Sequence, residues 1–126
     1  MTRVLLDTQA VYLAYRNEGL SRTARTVIED PDTVRIISSV SISEIAIKFA
    51  MGKLEMDGDD MVHAIRDLRL TGLAFEPRHA LAMFSLPLDH RDLFDRMILA
   101  TALVEKLPIV TGDRSFPRYP GVKIIW

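Results

Sequence analysis

Short apolar runs alternate along the chain with longer stretches in which apolar residues recur at helical spacing. The short runs predict strands, because β-branched and other apolar side chains pack well in a buried sheet. The predicted strands span residues 3–6, 34–37, 73–75, 107–111 and 122–125.

The stretches between these runs carry the periodicity and end signals of helices. In segment 42–51, for example, Ile42, Ile45 and Phe49 fall on one helical stripe, and Gly52 ends the segment. Ser21 is interpreted as an N-cap, and Pro77 suits the first position of a short helix. The predicted helices span residues 10–18, 21–29, 42–51, 59–71, 77–86 and 92–106.

Strands that alternate with helices predict an α/β domain with a mostly parallel sheet. A length of 126 residues suits one domain with one core, so residues 1–126 are predicted to form a single domain. The chain has no cysteine, no signal-peptide pattern and no apolar run near the ~20 residues that span a bilayer. We therefore expect a cytoplasmic protein that does not enter a membrane.

Four acidic residues fall where such a sheet would bring them together. Asp7 directly follows the first strand, and Asp113 follows the fourth. Glu44 and Asp95 lie in the first turns of two helices. Binding sites of α/β sheets lie beyond the carboxyl ends of the strands, which is the edge where the following helices begin. The four carboxylates are therefore predicted to converge.

Glu44 and Asp95 lie in helices that are apolar around most of their circumference. Such helices are buried, and a buried carboxylate needs a partner or a metal ion. Each acid also has a structural explanation when taken singly: a turn former for Asp7 or Asp113, an ion pair with Lys48 for Glu44, and a place in the helix start for Asp95. The convergence of all four favours a site.

A cluster of carboxylates predicts a particular chemistry. Two of them about 4 Å apart repel by about 4 kcal/mol at an effective dielectric constant of about 20, so the cluster needs cations. Oxygen ligands without cysteine or histidine select Mg²⁺ or Mn²⁺ over Zn²⁺. Such an ion activates water and neutralises charge on a phosphate, which is the outline of phosphodiester hydrolysis.

The charge balance weakly opposes a nucleic-acid role, since the net charge is −1 with 16 basic and 17 acidic residues. A bound metal ion would supply the positive charge that the chain lacks. Other acid-based architectures fit less well. A receiver domain needs paired acids after the first strand and a late lysine, a haloacid-dehalogenase-type phosphatase needs a second Asp after Asp7, and no glycine-rich phosphate loop is present.

Four segments resemble the motifs of the PIN-domain family, and specifically the VapC-like toxins of bacterial type II toxin–antitoxin pairs. The resemblance covers nearly the whole chain, in order, and each segment contains one of the four acids. The segments are Leu5-Leu6-Asp7-Thr8, the stretch 38–48 continuing to Gly52-Lys53-Leu54, His90-Arg91-Asp92-Leu93-Phe94-Asp95-Arg96, and Thr111-Gly112-Asp113-Arg114-Ser115-Phe116.

The resemblance implies a three-layer α/β/α sandwich with four or five strands, Mg²⁺- or Mn²⁺-dependent RNA cleavage and a homodimer. It also implies neutralisation by a cognate antitoxin, through which alone promoter DNA would be bound. Asp7, Asp95 and Asp113 would hold the metal, and Glu44 would complete the site or orient the attacking water. Two alternatives stay open: a PIN nuclease for RNA processing or structured DNA outside a toxin system, and a PIN-like module that binds without cutting.

Secondary roles are assigned to fewer residues. Thr111 is a candidate to bond a carboxylate or a metal-bound water, with no role as the alternative, and Asp92 is interpreted as a helix cap rather than a ligand. Arg96 and Arg114 are candidates for contacts to substrate phosphate, with structural or solvated roles as the alternative. The three histidines, at positions 63, 79 and 90, are interpreted as structural.

The sequence departs from the family pattern at three positions. Ser43 stands where many relatives have Trp, Leu93 where many have Pro, and Gly112 where Ala or Asn is common. None of these departures removes an acid, so the predicted metal site is unaffected.

Overall fold

A five-stranded sheet with strand order β3-β2-β1-β4-β5 forms the centre of the molecule. The computed structural model describes residues 1–87 and 92–126. All four strand pairings are parallel, which requires a crossover between paired strands. The strands are β1 (Thr2–Leu6), β2 (Thr33–Ser38), β3 (Leu70–Leu73), β4 (Ile109–Val110) and β5 (Ile124–Ile125).

Helices connect the first four strands, and several begin at a residue whose side chain caps the first turn. Asp7, Ser21 and Ser38 each accept a hydrogen bond from a backbone N–H two or three residues later, which satisfies a donor that the helix leaves free. The helices are α1 (Thr8–Arg16), α2 (Arg22–Glu29), α3 (Ser39–Ala50), α4 (Gly58–Asp67), α5 (Pro77–Ala82) and α6 (Leu93–Glu105), with a 3-10 turn at Met83–Ser85 after α5.

Residues of β1 alternate between two hydrophobic clusters, one on each face of the sheet. Val4 and Leu6 pack in a cluster with residues of α1, α2 and α4, whereas Leu5 packs in a cluster with residues of α5 and α6. Because successive strand residues point to opposite faces, this alternation places a helical layer on either side. The predicted α/β/α sandwich with a parallel sheet is confirmed.

Across residues 1–87 and 92–126, no helix is both long and apolar enough to cross a membrane.

The third strand lies earlier than the sequence predicted. The predicted strand at 73–75 and the predicted helix end near Thr71 are wrong, because α4 ends at Asp67 and the chain reverses through Arg69, whose φ is +53°. Leu70 then pairs with Arg35, and Gly72 lies within the strand. A glycine is tolerated there because β3 is an edge strand, where few side chains must pack.

Histidine 79 has a structural role, as predicted. Its ring is completely buried. Nδ1 accepts a hydrogen bond from the backbone N–H of Glu76 (2.9 Å), and Nε2 donates to Glu105 of α6 (2.7 Å). The side chain therefore ties the start of α5 to α6. His63 is exposed on α4, and His90 lies outside the described residues.

Candidate metal centre

The carboxyl edge of the sheet brings the four predicted acids to one pocket. Asp7 follows β1, Asp113 follows β4, and Glu44 and Asp95 project from α3 and α6 near the starts of these helices. Together they line a cavity of about 220 Å³. The other lining residues are Thr8, Gln9, Tyr12, Lys48, Leu54 and Asp92.

Asp7 is an acid whose ionisation is strongly perturbed. Its side chain is only 3% exposed. The pKa of Asp7 is raised to about 7, mainly by burial and also by the negative charges of Asp95 and Asp113. Hydrogen bonds from Thr111 and from the backbone N–H of Ala10 act in the opposite direction. No positive charge of the described residues is among the main causes of this shift. A cation is the group that would lower its free energy.

Thr111 connects two of the acids. Its hydroxyl is hydrogen-bonded to the carboxylate of Asp7 and accepts a hydrogen bond from the backbone N–H of Asp113 (3.1 Å). Asp113 in turn accepts bonds from the backbone N–H and the hydroxyl of Ser115, which gives the turn its shape. The strand-end threonine therefore bonds a carboxylate, which is the contact that the sequence suggested for it.

Glu44 is fully engaged by its neighbours. The hydroxyl of Thr8 donates to Oε1 (2.5 Å), and Lys48 Nζ lies 2.6 Å from Oε2. The predicted pairing with Lys48 is thus present, and this bond raises the pKa of the lysine. Thr8 was missed as a site residue. Its position directly after Asp7 in the first motif was the signal that could have identified it.

The ion pair between Lys48 and Glu44 leads to a testable prediction. In chelator, Lys48→Met is expected to lower the free energy of unfolding by about 1–2 kcal/mol, because it removes a charge-assisted hydrogen bond from a buried carboxylate whose partner is partly exposed. Chemical denaturation measures this loss. Lys53→Met is the matched control, since Lys53 is exposed and forms no ion pair among the described residues. Equal stability of the two variants would contradict the prediction.

The remaining candidates divide between the pocket and its surroundings. Asp92 lines the pocket and caps α6 by accepting the backbone N–H of Asp95 (3.0 Å), as predicted. Arg96 is buried and donates to the carbonyl of Pro87, and it lines a different cavity. This placement favours the structural role for Arg96 over a phosphate contact. Arg114 is exposed beside Asp113.

The pocket fits a hard divalent ion by chemistry but is not a ready-made cage. Its negatively charged side chains are carboxylates, whose oxygens are the ligands that Mg²⁺ and Mn²⁺ prefer. Across residues 1–87 and 92–126, however, no three Asp, Glu or His side chains are grouped closely enough to form a preformed metal site. The oxygens of Glu44 and Asp113 instead bond to neighbouring side chains and backbone. Metal binding would require some of these side chains to turn into the cavity.

The protein is a parallel α/β/α sandwich with an acidic pocket at the carboxyl edge of its sheet. Residues 4–122 match the family model of the PIN domain. The chain therefore belongs to the PIN-domain family. Comparison with curated proteins gave no significant sequence match.

Solved structures with a similar fold come from bacterial complexes. A chain of VapBC2 from Rickettsia felis, bound to a DNA fragment from their promoter, superposes with a TM-score of 0.73 at 17% identity, covering 98% of this chain and 97% of that one. DNA-bound VapBC from Salmonella typhimurium gives 0.67 at 21% identity, with 98% and 97% covered. FitAcB from Neisseria gonorrhoeae gives 0.58 at 21% identity, with 96% and 95% covered. At these identities the likeness concerns the fold.

Proposed function

We propose that the chain is a Mg²⁺- or Mn²⁺-dependent endoribonuclease and the toxin of a type II toxin–antitoxin pair. The observation that carries the proposal is the meeting of four acids from four separate segments in one pocket. Membership of the PIN family supports a nuclease. Residues 1–126 would form one PIN domain acting in the cytoplasm.

Some residues of the pocket would bind the metal, and others would hold the metal-binding side chains in place. Asp7, Asp95 and Asp113 would bind the ion, and Glu44 would complete the site or orient the attacking water. When bound, the ion would supply Lewis acidity toward phosphate and would lower the pKa of water. Thr111 holds Asp7 and the turn of Asp113 in fixed relation.

Lys48 and Thr8 would hold the carboxylate of Glu44 in its orientation while the site is empty. Both contact its carboxylate directly, at 2.6 Å and 2.5 Å. Lys48 is the only basic residue among the described residues that line the pocket. Substrate attraction would therefore depend mainly on the metal rather than on basic side chains.

Digestion of RNA by the purified chain tests the enzymatic part. Mn²⁺ or Mg²⁺ should permit cleavage of a labelled RNA panel, and excess EDTA should abolish it. Asp95→Asn should lower the rate about a hundredfold or more, since it removes a charge that interacts with the metal. Asp59→Asn is the matched control, because Asp59 also lies in a first helical turn but is exposed on α4.

Each result of this digest bears on the proposal. Full activity in EDTA would contradict metal dependence. RNA binding without cleavage at any Mn²⁺ concentration would favour a binding module. Cleavage of structured DNA in preference to RNA would favour the nuclease outside a toxin system.

The toxin assignment rests on the likeness to VapBC and FitAcB complexes, which share the fold over almost the whole chain. We infer a homodimer neutralised by an antitoxin, with promoter DNA bound only through that partner. Induction of the chain alone should arrest growth, and co-expression of a short neighbouring gene should relieve the arrest. Normal growth with an active, soluble chain would contradict a toxin role.

A further inference from the structure

Gly112 lies between Thr111 and Asp113, against the indole of Trp126. A Cβ atom at position 112 would lie 2.5 Å from Cζ2 and 2.9 Å from Cδ2 of that ring, with Cε2 closer still. Real Cβ atoms do not approach other atoms so closely. Gly112 is not among the residues with positive φ, so its backbone conformation suits any residue. Glycine is required here for space.

The pairing of β4 with β5 explains why Trp126 reaches this turn. Ile109 pairs with Ile124 and Val110 with Ile125, and the N–H of Thr111 donates to the carbonyl of Ile125 (3.2 Å). Trp126, the residue that follows β5, therefore lies beside the turn that follows β4. Each of these strands has only two residues, so backbone bonds alone hold the turn weakly.

The turn is also held from its other side. Gln9 accepts the backbone N–H of Gly112 through Oε1 (3.1 Å). Thr111 accepts the N–H of Asp113 and bonds to Asp7. The turn is thus fixed between the start of α1 and the indole ring. A displacement at position 112 would move the neighbouring carboxylate of Asp113.

We propose that Trp126, packed in the space left by the missing side chain of Gly112, is a positioning residue that holds Asp113 in reach of the metal. The ring does not contact the ion or the substrate; it acts through the turn. The inference rests on the proposed function, because it presumes that the acids bind Mn²⁺ or Mg²⁺. It assigns a role to one of the positions at which the sequence departs from the family pattern.

A double-mutant cycle on Mn²⁺ binding tests whether Gly112 and Trp126 act together. Calorimetric titration with MnCl₂ alone, without RNA, should show that Gly112→Ala weakens binding about tenfold or more, the range typical of residues that support metal ligands. Trp126→Ala should weaken it about tenfold on the same grounds. Once the ring is gone, Ala at position 112 has room, so the double variant should bind no more weakly than Trp126→Ala.

Two further variants separate packing from general damage. Gly72→Ala adds the same methyl group where nothing lies within 4 Å, and should bind Mn²⁺ like the unaltered chain. Trp126→Phe keeps a ring against the turn and should retain most of the affinity. If Gly112→Ala does not fold, as judged by circular dichroism, the comparison of Trp126→Ala with Trp126→Phe still decides the question.

Tryptophan emission gives a second readout, because the chain has only one tryptophan. Adding Mn²⁺ should change the Trp126 emission, and Asp113→Asn should suppress the change. Unaltered Mn²⁺ affinity in Gly112→Ala, or fully additive losses in the double variant, would overturn the positioning role of Trp126 while leaving the proposed function intact. Absence of Mn²⁺ binding by the unaltered chain would overturn both.

Discussion

Asp7→Asn is expected to abolish RNA cleavage and to make the metal-free protein more stable. The activity should fall about 10²–10³-fold, because the amide carries no charge to attract the divalent ion. The free energy of unfolding should rise because the variant removes a buried negative charge that Asp95 and Asp113 repel. Asp7 is 3% exposed and its pKa is raised to about 7. Asparagine caps helices about as effectively as aspartate, so the hydrogen bond from the backbone N–H of Ala10 should be retained.

The opposite signs of the two effects make this prediction discriminating. Residues that only support the fold lose activity and stability together when they are replaced. A gain in the free energy of unfolding at pH 8 in EDTA, with activity lost in Mn²⁺, is the signature of a residue kept for function. Denaturant titration and the RNA digest measure the two quantities. Loss of stability in the variant would contradict the description of Asp7 as an uncompensated charge.

The location of the acids could be predicted because it follows from chain direction in a parallel sheet. The strands are parallel, so Asp7 and Asp113, which follow β1 and β4, lie at one edge of the sheet, where α3 with Glu44 begins after β2. Asp95 lies at the same edge because α6 leads into β4 and therefore begins near the edge where that strand ends. Burial of Glu44 also followed from the apolar surroundings in its helix. These inferences depend on periodicity and direction, which single sequences carry well.

The state of the side chains could not be predicted in the same way. Glu44 accepts a hydrogen bond from Thr8, and Asp113 accepts one from Ser115. Such contacts depend on rotamers that several polar neighbours satisfy equally well, and no spacing rule selects among them. The same holds for Arg96, whose contact with Pro87 depends on how the start of α6 packs.

The strand order and the third strand also needed tertiary information. Nothing local distinguishes Leu70 from Leu73 as the start of β3, since both are leucines beside polar or small residues. The pairing of Leu70 with Arg35 decides it. The contact between Gly112 and Trp126 is likewise invisible in the sequence, because it arises from the register of β4 with β5.

The contribution of Asp7 to the stability of the metal-free chain is expected to fall as the pH rises from about 4 to about 7. The pKa of Asp7 is about 7 in the fold against an ordinary value of 3.8, so the folded state holds the proton more tightly than the unfolded state. Stability is therefore greatest while Asp7 is protonated, decreases as the proton is lost, and becomes level above pH 7. The full difference corresponds to at most about 4 kcal/mol.

Asp7→Asn isolates this contribution, because the other ionisable groups are common to both proteins. Denaturant unfolding in EDTA at pH 5 and pH 8 should show a larger loss of stability in the unaltered chain than in the variant. Saturating Mn²⁺ should reverse the trend, since the ion replaces the proton on the carboxylate and binds more tightly as the pH rises through 7. Parallel pH dependences in EDTA would mean that Asp7 ionises in the fold as it does in the unfolded chain. The pocket would then hold its carboxylates without strain, and the electrostatic case for a cation at this edge of the sheet would fail.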